Sequence, residues 1–253
     1  MFKQVFPLES IRHLNEKYFL LGIDLGGAAS DLQPGQFFEL KRPDCPHPLL
    51  HKPFSIYDVQ SGKVYFMMKR LGHATEQFAQ MHSGNLLDLI GPLGNAFPFP
   101  QGEKALLVSG GSGYPPLFFL QKKLLSAGKK VHWLHGGRGK DDVFSADKIW
   151  TEDGSAGNLG YVTDGLLDYL KTDSADVIYA CGPKPMLKTC AQIASERNLP
   201  LYVSLEAYMA CGVGVCHGCA VQVKTDTDIG ITYQTVCQDG PVFNAREIVW
   251  NEI

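Results

Sequence analysis

The chain has no basic surplus. Its 23 Lys and Arg stand against 26 Asp and Glu, for a formal net charge of -3, and the cations are scattered. No basic face advertises nucleic acid or an anionic membrane, and both drop out as partners. An apolar run of bilayer-spanning length is missing, as is a basic stretch followed by an apolar segment in MFKQVFPLESIRHLNEKYF. The expectation is a cytoplasmic protein with no membrane association. There is no internal repeat and no low-complexity tract. No Ser–His–Asp set or paired-carboxylate site can be argued, so no catalytic side chain is nominated. The pair His47 and His51 in HPLLH has no third ligand at metal spacing. With 253 residues, the chain suits two or three compact modules better than one large sheet.

Cysteine is not scarce, but its number, seven, is odd. In a reducing compartment clustered thiols more often bind metal or do redox chemistry than form disulfides. From Cys211 the spacing runs to Cys216, Cys219 and Cys237, giving C-x4-C-x2-C and a distant fourth cysteine. That is the plant-type pattern for a [2Fe–2S] cluster. Gly212, Gly214 and Gly218 let such a loop fold closely and aim amide N–H groups at sulfur. Structural zinc is the alternative, although zinc ribbons usually pair two C-x2-C knuckles and only Cys216 and Cys219 have that spacing. His217 reads as a spectator once four thiolates are counted. Cys45 and Cys190 read as inert thiols in a loop and a helix.

Upstream, KALLVSGGSGYPP reads as a strand from Ala105 to Val108, a glycine turn (Gly110, Gly111, Gly113) and a helix opened by prolines. This order suits a phosphate on a helix N-terminus, but Pro116 replaces the third glycine of the usual dinucleotide fingerprint, so a plain tight turn stays open as an alternative. Further strands are expected at KVHWLHGG, LGYVTDG and DVIYACGPKPM, with helices at LLDYLK and MLKTCAQIASER. Together they predict a parallel α/β domain over residues 101–200, with its ligand crevice at the strand ends. TEDGSAG (Thr151–Gly157) lies in a connecting loop, where Asp153 either orders the nucleotide or is a solvated carboxylate.

Residues 1–100 carry short alternating runs, QFFELK, FSIYDV and KVYFMMKRL, broken by turn signals, the pattern of an antiparallel β-barrel. In HKPFSIYDV, Lys52, Pro53 and Ser55 open a strand where charge and a hydroxyl could meet a pyrophosphate. An ordinary strand entry with a solvated lysine is the alternative. Residues 201–253 form a small C-terminal unit around the cysteines.

A K/R-P-x-S strand, GPLGNAF (Gly91–Phe97), a G-G-x-G-x-x-P turn, a C-G-P-x-x-M strand end and the cysteine loop together resemble the ferredoxin reductase-like flavoproteins. TEDGSAGNLGYVTD, CGPKPMLK and ACGVGVCHGCAVQV…VCQDGPVF, in that order, resemble the electron-transfer subunits of class 1B, NAD-dependent dihydroorotate dehydrogenases. The resemblance spans nearly the whole chain. It implies a multidomain α/β plus β fold with an FAD barrel, a ferredoxin reductase-type NAD domain and a [2Fe–2S] domain. It assigns FAD to Lys52, Pro53, Phe54 and Ser55, to Met67, Met68 and Lys69, and to Ala74 and Thr75. NAD falls to Gly110, Gly111 and Gly113 at the phosphates and to Cys181, Gly182 and Pro183 at the nicotinamide. Cys181 is then a small residue that leaves room for ring stacking rather than a nucleophile.

Two departures stand out. Lys52 replaces the family's arginine and loses its bidentate fork, and Ala74 replaces a glycine, so FAD is expected to sit more weakly or differently. The implied reaction is oxidation of dihydroorotate on the FMN of a separate catalytic subunit, with electrons passing through the cluster and FAD to NAD+. The chain has no room for a (β/α)8 barrel of typical size, so the partner must supply that chemistry, in an assembly of two catalytic and two electron-transfer subunits. Two other functions remain open: a flavin and iron–sulfur NAD(P)H reductase subunit of a cytosolic hydrogenase or ferredoxin-linked complex, and a zinc-holding module without enzymatic activity.

Overall fold

The structure is a computed structural model and describes residues 1–225 and 230–252. Seven antiparallel strands come first: β1 (Phe2–His13), β2 (Tyr18–Asp24), β3 (Phe37–Lys41), β4 (Lys52–Ser55), β5 (Asp58–Gln60), β6 (Lys63–Lys69) and β7 (Leu86–Leu93), in the order β4-β3-β7-β1-β2-β6-β5. Alternation builds the interior. On β3, Phe38 and Leu40 enter a core shared with Phe19, Leu21, Phe66 and Leu87, as period-2 geometry requires. The run FSIYDV is two strands rather than one, because the chain changes partner there. Ile56 donates its N–H to Gln36 C=O at 3.1 Å and Tyr57 to Tyr65 C=O at 2.9 Å, which carries it from β3 across to β6 and curls the sheet into a half-barrel. Helix α1 (His73–Ala79) follows β6.

Next, β8 (Lys104–Gly110), α2 (Tyr114–Ser126), β9 (Lys130–Gly137), β10 (Lys148–Thr151), β11 (Asn158–Leu159), α3 (Val162–Thr172), β12 (Val177–Cys181), α4 (Lys184–Glu196) and β13 (Leu201–Ser204) form a parallel α/β unit. Its sheet order is β11-β10-β9-β8-β12-β13-β16, the last being β16 (Val242–Asn244), which pairs antiparallel with β13. Pro115 and Pro116 occupy the first turn of α2, where missing N–H groups cost nothing. LGYVTDG is a correction: only Leu159 belongs to a strand, and the helix begins at Val162. Gly160 turns the chain at φ +119°, and Asp164 Oδ2 accepts the Tyr161 N–H at 3.0 Å, capping α3.

A hairpin of β14 (Ala220–Lys224) and β15 (Ile231–Thr235) follows the cysteine loop. Since β13 and β16 both belong to the nucleotide sheet, the sheet carries no break at residue 200. GPLGNAF begins inside β7 and continues as the strap between barrel and cysteine unit. Asn95 Nδ2 donates to Asp239 C=O (2.8 Å) and Val242 C=O (2.9 Å), and its Oδ1 accepts the Val242 N–H at 2.9 Å. Asn95→Ala is expected to cost roughly 2–4 kcal/mol through these unpaired groups, measured as a lowered urea midpoint.

Barrel and nucleotide unit meet on a buried carboxylate. Asp142, 3 % exposed, accepts from Lys69 Nζ (2.5 Å) and Tyr18 Oη (3.1 Å). Burial alone would raise its pKa, but the Lys69 and Tyr18 bonds and the Lys17 charge outweigh that and hold it below the usual carboxylate range.

Candidate functional site

A cleft of about 240 Å3 opens where all three parts of the chain meet, lined by Pro53, Phe54 and Ser55 of β4, Met67, Met68 and Lys69 of β6, and Thr75 of α1. Seven of the nine residues assigned to FAD from the sequence thus share one wall. Lys52 and Ala74 lie outside that lining. Ala74 needs no glycine backbone, since no positive φ is recorded for it and it sits within α1. The Lys52 cation favours the ionised form of the Glu39 carboxyl. Lys69 spends its ammonium on Asp142 and offers the cleft its stem.

The opposite wall was not legible beforehand: Ser112 and Pro115, then Ser204, Leu205, Glu206, Ala207 and Met209, then Pro241. Glu206 is exposed at the cleft, and the protein around it raises its pKa by desolvation. Apolar and thioether walls with a few hydroxyls suit a flat aromatic ring, so the residues fit a flavin. A larger recess of about 680 Å3, beside Gly26, Ser61 and α2, lies away from these groups. Its polar atoms are mostly satisfied internally: Lys122 by Asp58 at 2.5 Å and Ser126 by the Lys122 carbonyl at 2.8 Å.

The glycine turn and the CGP turn are side by side because β8 and β12 are parallel neighbours with Ser109 opposite Cys181. Chain connections diverge there, β8 passing to β9 on one side and β12 to β13 on the other, which is where open α/β sheets bind ligands. The glycines divide by role. A side chain at Gly113 would strike the Cys181 carbonyl, and one at Gly110 would come within 2.7 Å of Met186 Sδ, whereas Gly111, at φ +49°, has open space. Packing of the two turns demands Gly110 and Gly113, while Gly111 is the half-buried but uncrowded backbone a phosphate could approach. In the 151–157 loop, Ser155 N–H and Oγ hold Asp153 at 2.9 and 2.6 Å, and this holds its carboxyl below the usual range.

Cys181 is 2 % exposed, and burial first, then the Glu206 charge, pushes its thiol far above the ordinary value. It is no thiolate and no nucleophile. Cys181→Ala is therefore expected to leave the rate of flavin reduction by NADH within about 3-fold of wild type by stopped flow.

Behind the turn, Trp133 Nε1–H donates to Ser109 Oγ (2.8 Å), and the same oxygen shares a hydrogen bond with His135 Nδ1 (2.7 Å). His135 Nε2 has no hydrogen-bond partner. Burial lowers the His135 pKa from 6.5 to about 4. Between those values the unfolded chain binds a proton that the folded chain refuses. Stability is thus lost as pH falls from about 6.5 toward 4, by up to roughly 3 kcal/mol. Urea midpoints at pH 7 and pH 4.5 should show this loss in wild type and less of it in His135→Gln.

In the cysteine loop the sulfurs come in two pairs. Cys219 lies beside Cys237 and Cys211 beside Cys216, each pair close enough to share a hydrogen bond. Amides surround them: Gly214 N–H points at Cys237 Sγ (3.1 Å), Cys216 N–H at Cys211 Sγ (3.4 Å) and Gly218 N–H at Cys216 Sγ (3.4 Å). Backbone donors, led by Cys216 N–H, lower the Cys211 pKa, and burial raises that of Cys237. Among the described residues no three His, Cys, Asp or Glu side chains converge as one metal ion needs. Two thiol pairs fit a binuclear cluster better than a single zinc. Cys219 and Cys237 are buried and Cys216 is exposed, so one pair faces inward and the other reaches the surface. His217, at φ +55°, shapes the turn before Cys219.

Residues 206–249 match the iron–sulfur cluster binding domain of dihydroorotate dehydrogenase B. The electron transfer subunit of dihydroorotate dehydrogenase B (NAD(+)) from Bacillus caldolyticus is 41 % identical over 230 residues, 86 % of this chain and 87 % of that one. Its counterpart from Geobacillus kaustophilus is 40 % identical over the same shares. Among solved structures, a chain of the NADH-dependent reduced ferredoxin–NADP oxidoreductase studied for flavin-based electron bifurcation superposes with a TM-score of 0.85 at 28 % identity, covering 97 % of this chain and 90 % of that one. The fold is shared with the solved chain over nearly its whole length, and the identity to the curated relatives extends through most of the sequence: the chain belongs to the family of electron transfer subunits of dihydroorotate dehydrogenase B (NAD(+)).

Proposed function

We infer that this chain is the oxidoreductase subunit that carries electrons from a dihydroorotate-oxidising catalytic subunit to NAD+ in pyrimidine biosynthesis. The observation that carries this reading is continuity. Met209 lines the cleft and Cys211 begins the thiol loop two residues later, so one segment borders both cofactor sites. When bound, FAD, the [2Fe–2S] cluster and NAD supply the conversion between one-electron and two-electron transfer.

The chain's own residues do the positioning. Phe54, Met67 and Met68 give the flavin ring an apolar wall that excludes water, and Ser55 and Thr75 offer hydroxyls. Gly111 and the neighbouring Gly110 and Gly113 form the approach for the nucleotide phosphates. Cys181, Gly182 and Pro183 keep the floor low enough for two rings to stack, since hydride transfer depends on alignment rather than on a nucleophile. Cys211, Cys216, Cys219 and Cys237 would hold the cluster, with the surface pair toward the partner. Exposed Tyr208 and Val215, at 99 % and 77 %, flank that pair and suit a covering protein.

The catalytic subunit is FMN-containing in this reading, and the assembly is two plus two in the cytoplasm. No helix among the described residues is long and apolar enough to cross a membrane. Residues 1–100, 101–200 and 201–253 are proposed as the FAD, NAD and cluster units, the last lending β13 and β16 to the nucleotide sheet. A second reading, a reductase subunit serving a ferredoxin-linked complex, draws on the 28 % identical ferredoxin–NADP oxidoreductase chain.

The test is a visible spectrum of the chain purified with its catalytic partner, before and after anaerobic dihydroorotate. Bleaching of both flavin and iron–sulfur bands, with NADH formed on adding NAD+, is the expected result. Bands that bleach with NADH but ignore dihydroorotate would move the chain to the second reading. A colourless sample containing zinc would overturn both.

A further inference from the structure

Glu39 stands in the middle of β3, 1 % exposed, with its Oε1 lacking any hydrogen-bond partner. A buried carboxyl left short of partners is costly, and such groups call for a reason. Strand alternation gives its direction. Phe38 and Leu40 fill the barrel core, while Phe37 packs on the other side with Leu93, Cys219, Val236 and Cys237, so Glu39 faces the cysteine unit. Gly212, one residue after Cys211, fixes the contact: a Cβ there would lie 2.5 Å from the Glu39 carboxyl carbon and 2.7 Å from each of its oxygens.

The same residue touches the flavin strand from the other side. Glu39 is paired with Pro53 on β4 and with Ile90 on β7. Burial raises its pKa while the Lys52 cation opposes that shift. On the same face, Lys41 donates to the Leu49 carbonyl at 2.9 Å, and Asp88 on the neighbouring β7 pairs with His51 at 3.0 Å. One carboxyl therefore lies between the strand that lines the flavin cleft and the loop that holds the thiols.

We propose that Glu39 is a positioning residue that sets the reduction potential of the [2Fe–2S] cluster, acting from the flavin barrel through its contact with the cluster loop at Gly212. The inference rests on reading the four cysteines as cluster ligands. Cluster potential depends on local charge, hydrogen bonding and exposure. A carboxylate held against the loop opposes the extra negative charge of the reduced cluster, which keeps the potential low and favours passing the electron on. The amide of Glu39→Gln keeps the shape and removes the charge.

The experiment is an EPR-monitored redox titration of the cluster in the complex with the catalytic partner, at pH 7 and pH 9, for wild type, Glu39→Gln and Glu39→Asp. Glu39→Gln is expected to raise the potential at one or both pH values by an amount that shifts the reduced-to-oxidised ratio about tenfold, ~59 mV for one electron. Glu39→Asp, which withdraws the charge from Gly212, should fall between. Should the glutamine variant fail to retain the cluster, the aspartate variant decides: an upward shift supports the role and an unchanged potential overturns it. Equal potentials for wild type and Glu39→Gln at both pH values also overturn it. A wild-type complex with no [2Fe–2S] signal would remove the cluster reading itself, and this inference with it.

Discussion

Cys219→Ser is expected to abolish the iron–sulfur absorption and to lower dihydroorotate-dependent NADH formation by about 100-fold or more, while NADH still reduces the flavin. Cys219 is 3 % exposed and sits against Val221, Val236 and Cys237 in the apolar core, so water cannot stand in for the missing ligand. A serine hydroxyl ionises far less readily than a thiol, and iron in these clusters is held by thiolate. The cleft is lined by β4, β6, Thr75, Ser112 and Pro115, with Ser204–Ala207, Met209 and Pro241 opposite, and does not use this sulfur. The two half-reactions should therefore separate: NADH-driven flavin bleaching at near wild-type rate, dihydroorotate-driven NADH formation close to background. Electron transfer from dihydroorotate to NAD+ at wild-type rate in a cluster-free variant would sink the role given to the thiols.

How far the sequence displayed this site depends on how local each part is. The Cys211–Cys219 spacing and the glycine turn were visible because each is one short loop whose residue types are dictated by what it must approach. The far wall of the flavin cleft was not, because Ser112, Ser204–Ala207, Met209 and Pro241 come together only through the β8-β12-β13-β16 strand order. Asn95 could be noted as part of GPLGNAF, but its task needs the return of β16 some 147 residues later. Glu39 left a signal that alternation alone did not explain, a carboxylate inside the apolar run FFEL. The strand expected at LGYVTDG failed for a local reason: Leu159, Tyr161 and Val162 read as extended, while Gly160 and the Asp164 cap start a helix. The break in FSIYDV was hidden because a change of strand partner leaves no mark in hydrophobic alternation.

Gly113→Ala should be strongly damaging to the nucleotide unit, and its cause is backbone against backbone. The new Cβ would overlap the Cys181 carbonyl and lie 2.6 Å from the Gly182 nitrogen, atoms that cannot rotate away. Relief requires β8 and β12 to part at their C-terminal ends, where Ser109 and Cys181 are in register. Overpacking of this kind costs roughly 3 kcal/mol. A displacement of about 1 Å between the two turns is enough to lower hydride transfer roughly 100-fold, because the rate depends on ring alignment. Gly111→Ala is the contrasting variant. It meets no atom within 4 Å but must hold φ +49°, a strain of about 1–2 kcal/mol, with no displacement of the CGP turn. Stopped-flow reduction of the flavin by NADH should thus show a slowed limiting rate in Gly113→Ala and a raised KM with little change in limiting rate in Gly111→Ala. If both variants changed only KM, the proposed division of labour between the packed glycine and the open one would be wrong. A limiting-rate loss confined to Gly113→Ala would locate ring alignment in the contact between the two strand ends.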